Sequence, residues 1–332
     1  MTARSPSVSI CIPTYNGAAY LRDCLESVLA QSDTDLEVVV VDDCSTDETQ
    51  AILGRYRERD GRVRLFHNPR NLGLVGNWNE CIARARGEWI KFVFQDDWLA
   101  PDCVARMVAE ARATGTLLTV CRRRFAFAAV SDEFRARYRE SGDEGSLAVI
   151  APGRRVITAQ EFCEAILERG VVNFIGEPTA ALIHRDAFRE FGRFDPKLIQ
   201  LCDIEYWFRL GVQRGIGYIP EVLAYFRVHE DSATFRNWRE RSFHGNIIDP
   251  LLIQCELAFN PVYQPLRDAA AQRGRDLRAE FAWASVVEQC WGKAHANPGW
   301  RQVLAAEPRL RMPWRLRVRR LVRHTLERIG VL

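Results

Sequence analysis

Two pairs of adjacent aspartates, Asp42/Asp43 and Asp96/Asp97, each follow directly on an apolar run, and the second pair is flanked by Phe94 and Trp98. Adjacent carboxylates repel one another unless a cation or hydrogen-bond donors compensate. At the carboxyl end of a buried strand such a pair suits one task, the holding of a hard divalent cation against a phosphate. Two more residues belong in the same account: Asp203, at the start of a predicted helix, and His229, after the last predicted strand. Singly, each has a structural reading. An aspartate after a strand forms turns and caps helices, Asp203 could simply cap its own helix, and lone histidines are more often structural than ligating.

The elements that must position these residues can be read from periodicity. Apolar runs at residues 8–12, 36–41, 63–66 and 89–94 read as strands, and each is followed by a segment of helical spacing. Strands alternating with helices predict βαβ units around a largely parallel sheet, whose carboxyl rim is where open α/β folds bind ligands. Ser45 with Glu48, and Thr158 with Glu161, have the three-residue spacing of capping boxes. Residues 122–155 read as an irregular excursion, residues 172–184 as extended but interrupted at Gly176-Glu-Pro178, and residues 223–228 as the last strand. The expected organisation is a domain over 1–235 and a helical extension over 236–332.

Composition narrows the function classes. The chain has 332 residues, 47% hydrophobic and 27% charged, and a net charge of only +3, so it is not a uniformly basic nucleic-acid binder. No apolar run approaches a membrane span of about 20 residues, and the first residues lead into no signal-peptide core, which points to the cytoplasm. Ten cysteines are scattered without a Cys-x-x-Cys pair and read as reduced core residues, which leaves no thiolate zinc site. Dinucleotide, Walker A, zincin and nucleophile-elbow motifs are all missing.

Five stretches, in order, carry a resemblance: Ile-Pro-Thr-Tyr-Asn-Gly from Ile12, Val-Val-Asp-Asp-Cys-Ser-Thr-Asp from Val40, Asn-Leu-Gly-Leu-Val-Gly-Asn-Trp-Asn from Asn71, Arg-Gly-Glu-Trp-Ile-Lys-Phe from Arg86, and Gln-Asp-Asp-Trp-Leu-Ala-Pro-Asp from Gln95. Together they closely resemble the family 2 glycosyltransferases, over about residues 8–229. The resemblance implies a GT-A fold, a mixed and mainly parallel sheet flanked by helices, and a nucleotide-diphospho-sugar donor. It places Pro13, Thr14 and Tyr15 under the nucleotide base and gives Asp43 to uracil. Asn77 and Asn79 fall near base and ribose, Asp96 on the ribose, and Asp97 on a Mg²⁺ or Mn²⁺ ion. It makes Asp203 the catalytic base of an inverting transfer and sets His229 near the metal or diphosphate. Gln95 and Cys202 depart from the family pattern, which often has acidic residues there.

The implied acceptor is a hydroxyl of a glycan or lipid-linked glycan in surface polysaccharide biosynthesis. Residues 301–332 carry nine Arg against two Glu, and on a helix Trp314, Val318, Leu321, Val322, Thr325 and Ile329 share one face. That pattern suits a basic helix lying on an anionic membrane surface, or equally one packed on protein. The alternatives to sugar transfer are nucleotidyl transfer and a non-catalytic module that binds nucleotide sugars. Nucleic acid has thin support, because Trp314 and His324 are the tail's only stacking groups. Oligomeric state and sugar identity are not legible.

Overall fold

The structure is a computed structural model that describes residues 5–128, 130–133, 135, 136, 147–239, 245, 248–281, 304, 305 and 308–310. The chain divides into two compact units, residues 1–240 and 241–332. The basic segment at 314–329, on which the membrane reading depends, lies outside the described residues. Among the described residues no helix is long and apolar enough to cross a membrane.

Among the described residues the first unit is built on a sheet of nine strands. In chain order they are β1 (Val8–Thr14), β2 (Leu36–Asp42), β3 (Val63–His67), β4 (Trp89–Phe92), β5 (Trp98–Leu99), β6 (Leu118–Phe127), β7 (Val156–Ile157), β8 (Ala181–His184) and β9 (Ile216–Val228). Their spatial order is β3-β2-β1-β4-β8-β6-β9-β5, with β7 alongside β9. β1 to β4 pair in parallel, as the continuous apolar runs require, and β6 runs parallel to β9. β8 is antiparallel to both β4 and β6, and β5 and β7 are antiparallel to β9. Helices α1 (Leu21–Leu29), α2 (Thr49–Arg59), α3 (Gly73–Arg84) and α4 (Cys103–Thr114) join the first strands. Alternate residues of β1 and β2, Val8, Ile10, Ile12, Val38 and Val40, form one core with Leu25 and Val28 of α1 and Val104 and Met107 of α4. The second unit contributes helices Asp249–Phe259 and Gln264–Gln272.

Several local expectations are revised. The Thr158/Glu161 capping box forms on both sides, but Ser45 and Glu48 do not make one. Ser45 instead donates its hydroxyl to Asp42 at 2.5 Å and accepts the Asn16 N–H at 2.9 Å, and the helix starts only at Thr49. The fourth strand stops at Phe92, and an Asp97 N–H to Phe94 carbonyl bond closes the turn that presents the acidic pair. Residues 178–180 form a 3₁₀ turn before β8. The last strand starts at Ile216, and residues 122–127 continue β6.

Where the strand direction reverses, between β4 and β8, Lys91 is fully buried. Its ammonium donates to the carbonyls of Phe92, Thr179 and Ala181, which satisfies a charge that would otherwise be costly to bury.

Candidate active site

The rim after β1 and β2 is stitched by side chains. Asn16 and Cys44 have left-handed backbones, φ 48° and 65°, which sharpen the two turns. Asn16 N–H donates to Ser45 Oγ, Thr46 N–H to Asn16 Oδ1, and Gly17 N–H to Thr49 Oγ1. Gln95 clamps Tyr15 through both of its main-chain groups, at 2.9 and 3.1 Å. Gly17 leaves room for that clamp, since a Cβ there would lie 2.2 Å from Gln95 Oε1 and displace the side chain. Pro13 and Thr14 are buried, and Tyr15 is left 42% exposed. An exposed aromatic fixed on its main chain is suited to stacking on a planar ring.

Asp42 and Asp43 have different tasks. Asp42 is fully buried and is consumed by its own turn, with bonds from Thr14 Oγ1, Ser45 and Gln50 Nε2. Asp43 reaches across to the start of α3, where it accepts Leu72 N–H at 2.8 Å, Gly73 N–H at 3.0 Å and Asn68 Nδ2 at 2.7 Å. Asn77 is tied to the same group, since it accepts from Asn68 and donates to the Thr14 and Val41 carbonyls. Pro13, Thr14, Tyr15, Asp43 and Asn77 are thereby brought into one rim. Asn79 instead makes a reciprocal pair with the main chain of Phe194, 2.9 and 3.2 Å, and buttresses the loop before the Cys202–Arg214 helix.

Asp96 and Asp97 also separate. Asp97 is wholly buried; its Oδ2 accepts Thr179 Oγ1 at 2.5 Å and its Oδ1 accepts Arg227 N–H at 2.9 Å. Burial, reinforced by the charge of Asp96, pushes its carboxyl well above the usual range. Asp96 is the member that reaches solvent, and its Oδ2 lies 2.8 Å from His229 Nε2. His229 is 8% exposed at its side chain and its Nδ1 has no hydrogen-bond partner among the described residues.

Asp203 sits in the first turn of the Cys202–Arg214 helix, 8% exposed, with Oδ1 accepting the next N–H at 2.8 Å. Burial first, and then the negative charge of Glu177, raise its pKa from 3.8 to about 7, which is where a general base is most effective near neutral pH. Glu177 also raises Asp97, so both aspartates lie within electrostatic reach of one carboxylate. The segment at 176–180 bridges them: Thr179 bonds Asp97, and Gly176 O accepts Trp207 Nε1 from the helix of Asp203. Glu177 is itself paired with Arg123, and register irregularities in β6 at Arg122 immediately precede that arginine. Thr179, Glu177, Arg123 and Arg227 were not found by motif. Only Arg227 carries a signal, since alternation along a strand puts it on the face of His229.

A divalent cation bound chiefly by a substrate diphosphate takes one or two protein donors and completes its shell with phosphate and water. Among the described residues no three His, Cys, Asp or Glu side chains converge on a metal-holding point. The Asp96/His229 pair, whose Oδ2 and Nε2 lie 2.8 Å apart on the solvent side of the turn, fits the two-donor kind of site.

The family model "Glycosyl transferase family 2" matches residues 9–192, a span that carries both acidic pairs and the rim around Asp43. The chain belongs to that family. Similar proteins include the Bacillus subtilis putative glycosyltransferase EpsH, 27% identical over 247 residues, 73% of this chain and 67% of that one. An uncharacterized Mycobacterium tuberculosis protein is 32% identical over 275 residues, 80% of each chain. Among solved structures, S. aureus TarS in complex with UDP-GlcNAc superposes with a TM-score of 0.61 at 18% identity, over 93% of this chain and 82% of that one. The mannosyltransferase PcManGT from Pyrobaculum calidifontis, in complex with GDP-Man and Mn²⁺, does so with 0.56 at 20% identity, over 95% and 83%. The fold of this family 2 chain is therefore the GT-A glycosyltransferase fold.

Proposed function

We propose that the chain transfers a sugar from a nucleotide-diphosphate donor, UDP-linked by the Asp43 assignment, to a hydroxyl of a glycan or lipid-linked acceptor, with inversion at the anomeric carbon. The observation that carries this reading is Asp203, a buried carboxylate with a pKa of about 7, coupled through the 176–180 segment to the acidic pair.

On this reading Tyr15 stacks on the base, while Asp43 and Asn77, tied to the Asn68–Gly73 segment and to β1 and β2, hold the rim against which its edge and the ribose rest. Asp96 and His229 hold Mg²⁺ or Mn²⁺. Asp97 acts as the buried anchor of that turn, since both of its oxygens are already engaged. This moves the metal to Asp96, which the sequence resemblance puts on the ribose, and leaves Asp97, which the resemblance puts on the metal, as a structural support. A cation there offsets negative charge on the diphosphate. Asp203 takes the acceptor hydroxyl's proton, and attack from the face opposite the diphosphate inverts the centre. Relatives named for succinoglycan biosynthesis in Rhizobium meliloti and teichuronic acid biosynthesis in Bacillus subtilis support a cell-surface polysaccharide as the product.

The test is a screen of UDP-, GDP- and dTDP-sugars with Mn²⁺, with product analysis and Asp96→Asn as control. Release of nucleoside diphosphate, and loss of Mn²⁺-dependent UDP binding in the variant, are expected. Release of pyrophosphate would instead assign nucleotidyl transfer.

A further inference from the structure

Arg227 meets both members of the acidic pair, yet it has no part in the donor-site reading above. Its N–H donates to Asp97 Oδ1 at 2.9 Å and its Nε to the Asp96 carbonyl at 2.9 Å. Its Nη2 donates to Asp23 Oδ2 on α1 at 2.8 Å. The guanidinium lies over the ring of Tyr20 at 4.5 Å and over that of Trp98 at 4.7 Å. Trp98 is in turn stacked on Tyr225, its cross-strand partner, at 5.2 Å and 5° between planes. Tyr20 packs on the His229 ring at 4.7 Å. A continuous run of ring and guanidinium contacts therefore passes through Tyr225, Trp98, Arg227, Tyr20 and His229, and ends on the imidazole that meets Asp96.

We propose that Arg227 is a positioning residue for divalent-cation binding: it sets the backbone of the Asp96/Asp97 turn and, through Tyr20, the ring plane of His229. The inference rests on the donor-site reading above. Its physical basis is geometric. A planar guanidinium can present edge donors to a carbonyl and a carboxylate while it lies against aromatic rings, and an ammonium cannot. Groups that orient metal ligands typically govern affinity by about 10- to 100-fold when removed. The Asp23 contact adds a tie from α1, so this run is held at both the helix and the strand.

The experiment is titration of full-length protein with Mn²⁺ in the presence of UDP, read by calorimetry, for wild type, Arg227→Lys, Arg227→Met, Tyr20→Leu and Asp96→Asn, with melting temperatures measured alongside. Expected is a fall in Mn²⁺ affinity of about tenfold or more in Arg227→Lys. Arg227→Met and Tyr20→Leu should fall similarly, whereas UDP affinity without metal changes little. Arg227→Lys keeps charge and most of the bulk, so its melting temperature should move less than that of Arg227→Met while its metal affinity does not recover. Wild-type metal affinity in Arg227→Lys and Arg227→Met, with Asp96→Asn defective, overturns the positioning role and leaves the donor site standing. Metal affinity in Asp96→Asn equal to that of wild type, or no Mn²⁺ dependence in any protein, overturns the donor site and the positioning role with it.

Discussion

Replacing Asp203 by Asn tests the proposed base through two independent readouts. Burial beside Glu177 moves this carboxyl from 3.8 to about 7. Holding it ionised in the folded protein then costs about 4 kcal/mol at any pH above 7, at 1.36 kcal/mol per pH unit. The folded pKa lies above the unfolded one, so the native state binds the extra proton between them. Stability should accordingly fall as pH rises from about 4 to about 7 and level off beyond. Asn has no charge to desolvate and can still accept the Ile204 N–H on Oδ1. The variant should match wild type near pH 4 and exceed it by up to about 4 kcal/mol at pH 8.5, measured by urea unfolding at a series of pH values. Its kcat should fall by about 10²- to 10⁴-fold, while wild-type kcat rises with pH through about 7. An Asn variant that keeps full activity, or that is no more stable than wild type at pH 8.5, would refute the reasoning.

Two further substitutions probe the scaffold of the site. Thr179→Val removes the hydroxyl that donates to Asp97 Oδ2 and leaves a buried carboxylate short of a partner. It should lower stability by about 1.5–3 kcal/mol, with Thr179→Ser close to wild type in the same urea unfolding series. Gly211→Ala would place a Cβ 2.4 Å from the Phe162 ring, which is itself wedged against Phe174 and Phe208. A loss of about 1–3 kcal/mol is expected, and Phe162→Leu in the same chain should recover part of it; equal melting temperatures for Gly211→Ala and wild type would count against this packing.

What the sequence made legible was whatever depends on short-range pattern. The parallel strands with their helices, the Thr158/Glu161 box and the placing of both acidic pairs at strand ends follow from local period and local chemistry. Ser45 escaped that logic because its hydroxyl is drawn into the rim, donating to Asp42 and accepting the Asn16 N–H, and the helix begins only at Thr49. The division of labour within each pair was hidden for a different reason. Whether Asp96 or Asp97 reaches solvent is decided by Thr179, 82 residues away, and by Arg227, 130 residues away. Glu177 looked like a break in an extended run, and its effect on Asp203 exists only once the fold brings the two together. Asn79 has the polar character that a nucleotide contact needs, but that amide is spent on Phe194.

The direction change pinned by Lys91 has a consequence for how such a chain can diversify. Because β4 and β9, which lead into the acidic turn and His229, belong to one continuous hydrogen-bonded sheet with β8 and β6, the two segments that meet at Asp96 are held in a fixed relation. Sliding one strand against the next by a single residue would flip every side chain to the other face, so small adjustments of distance are closed to it. New specificities must then arise in the peptide between strands, while the plane beneath them stays as it is.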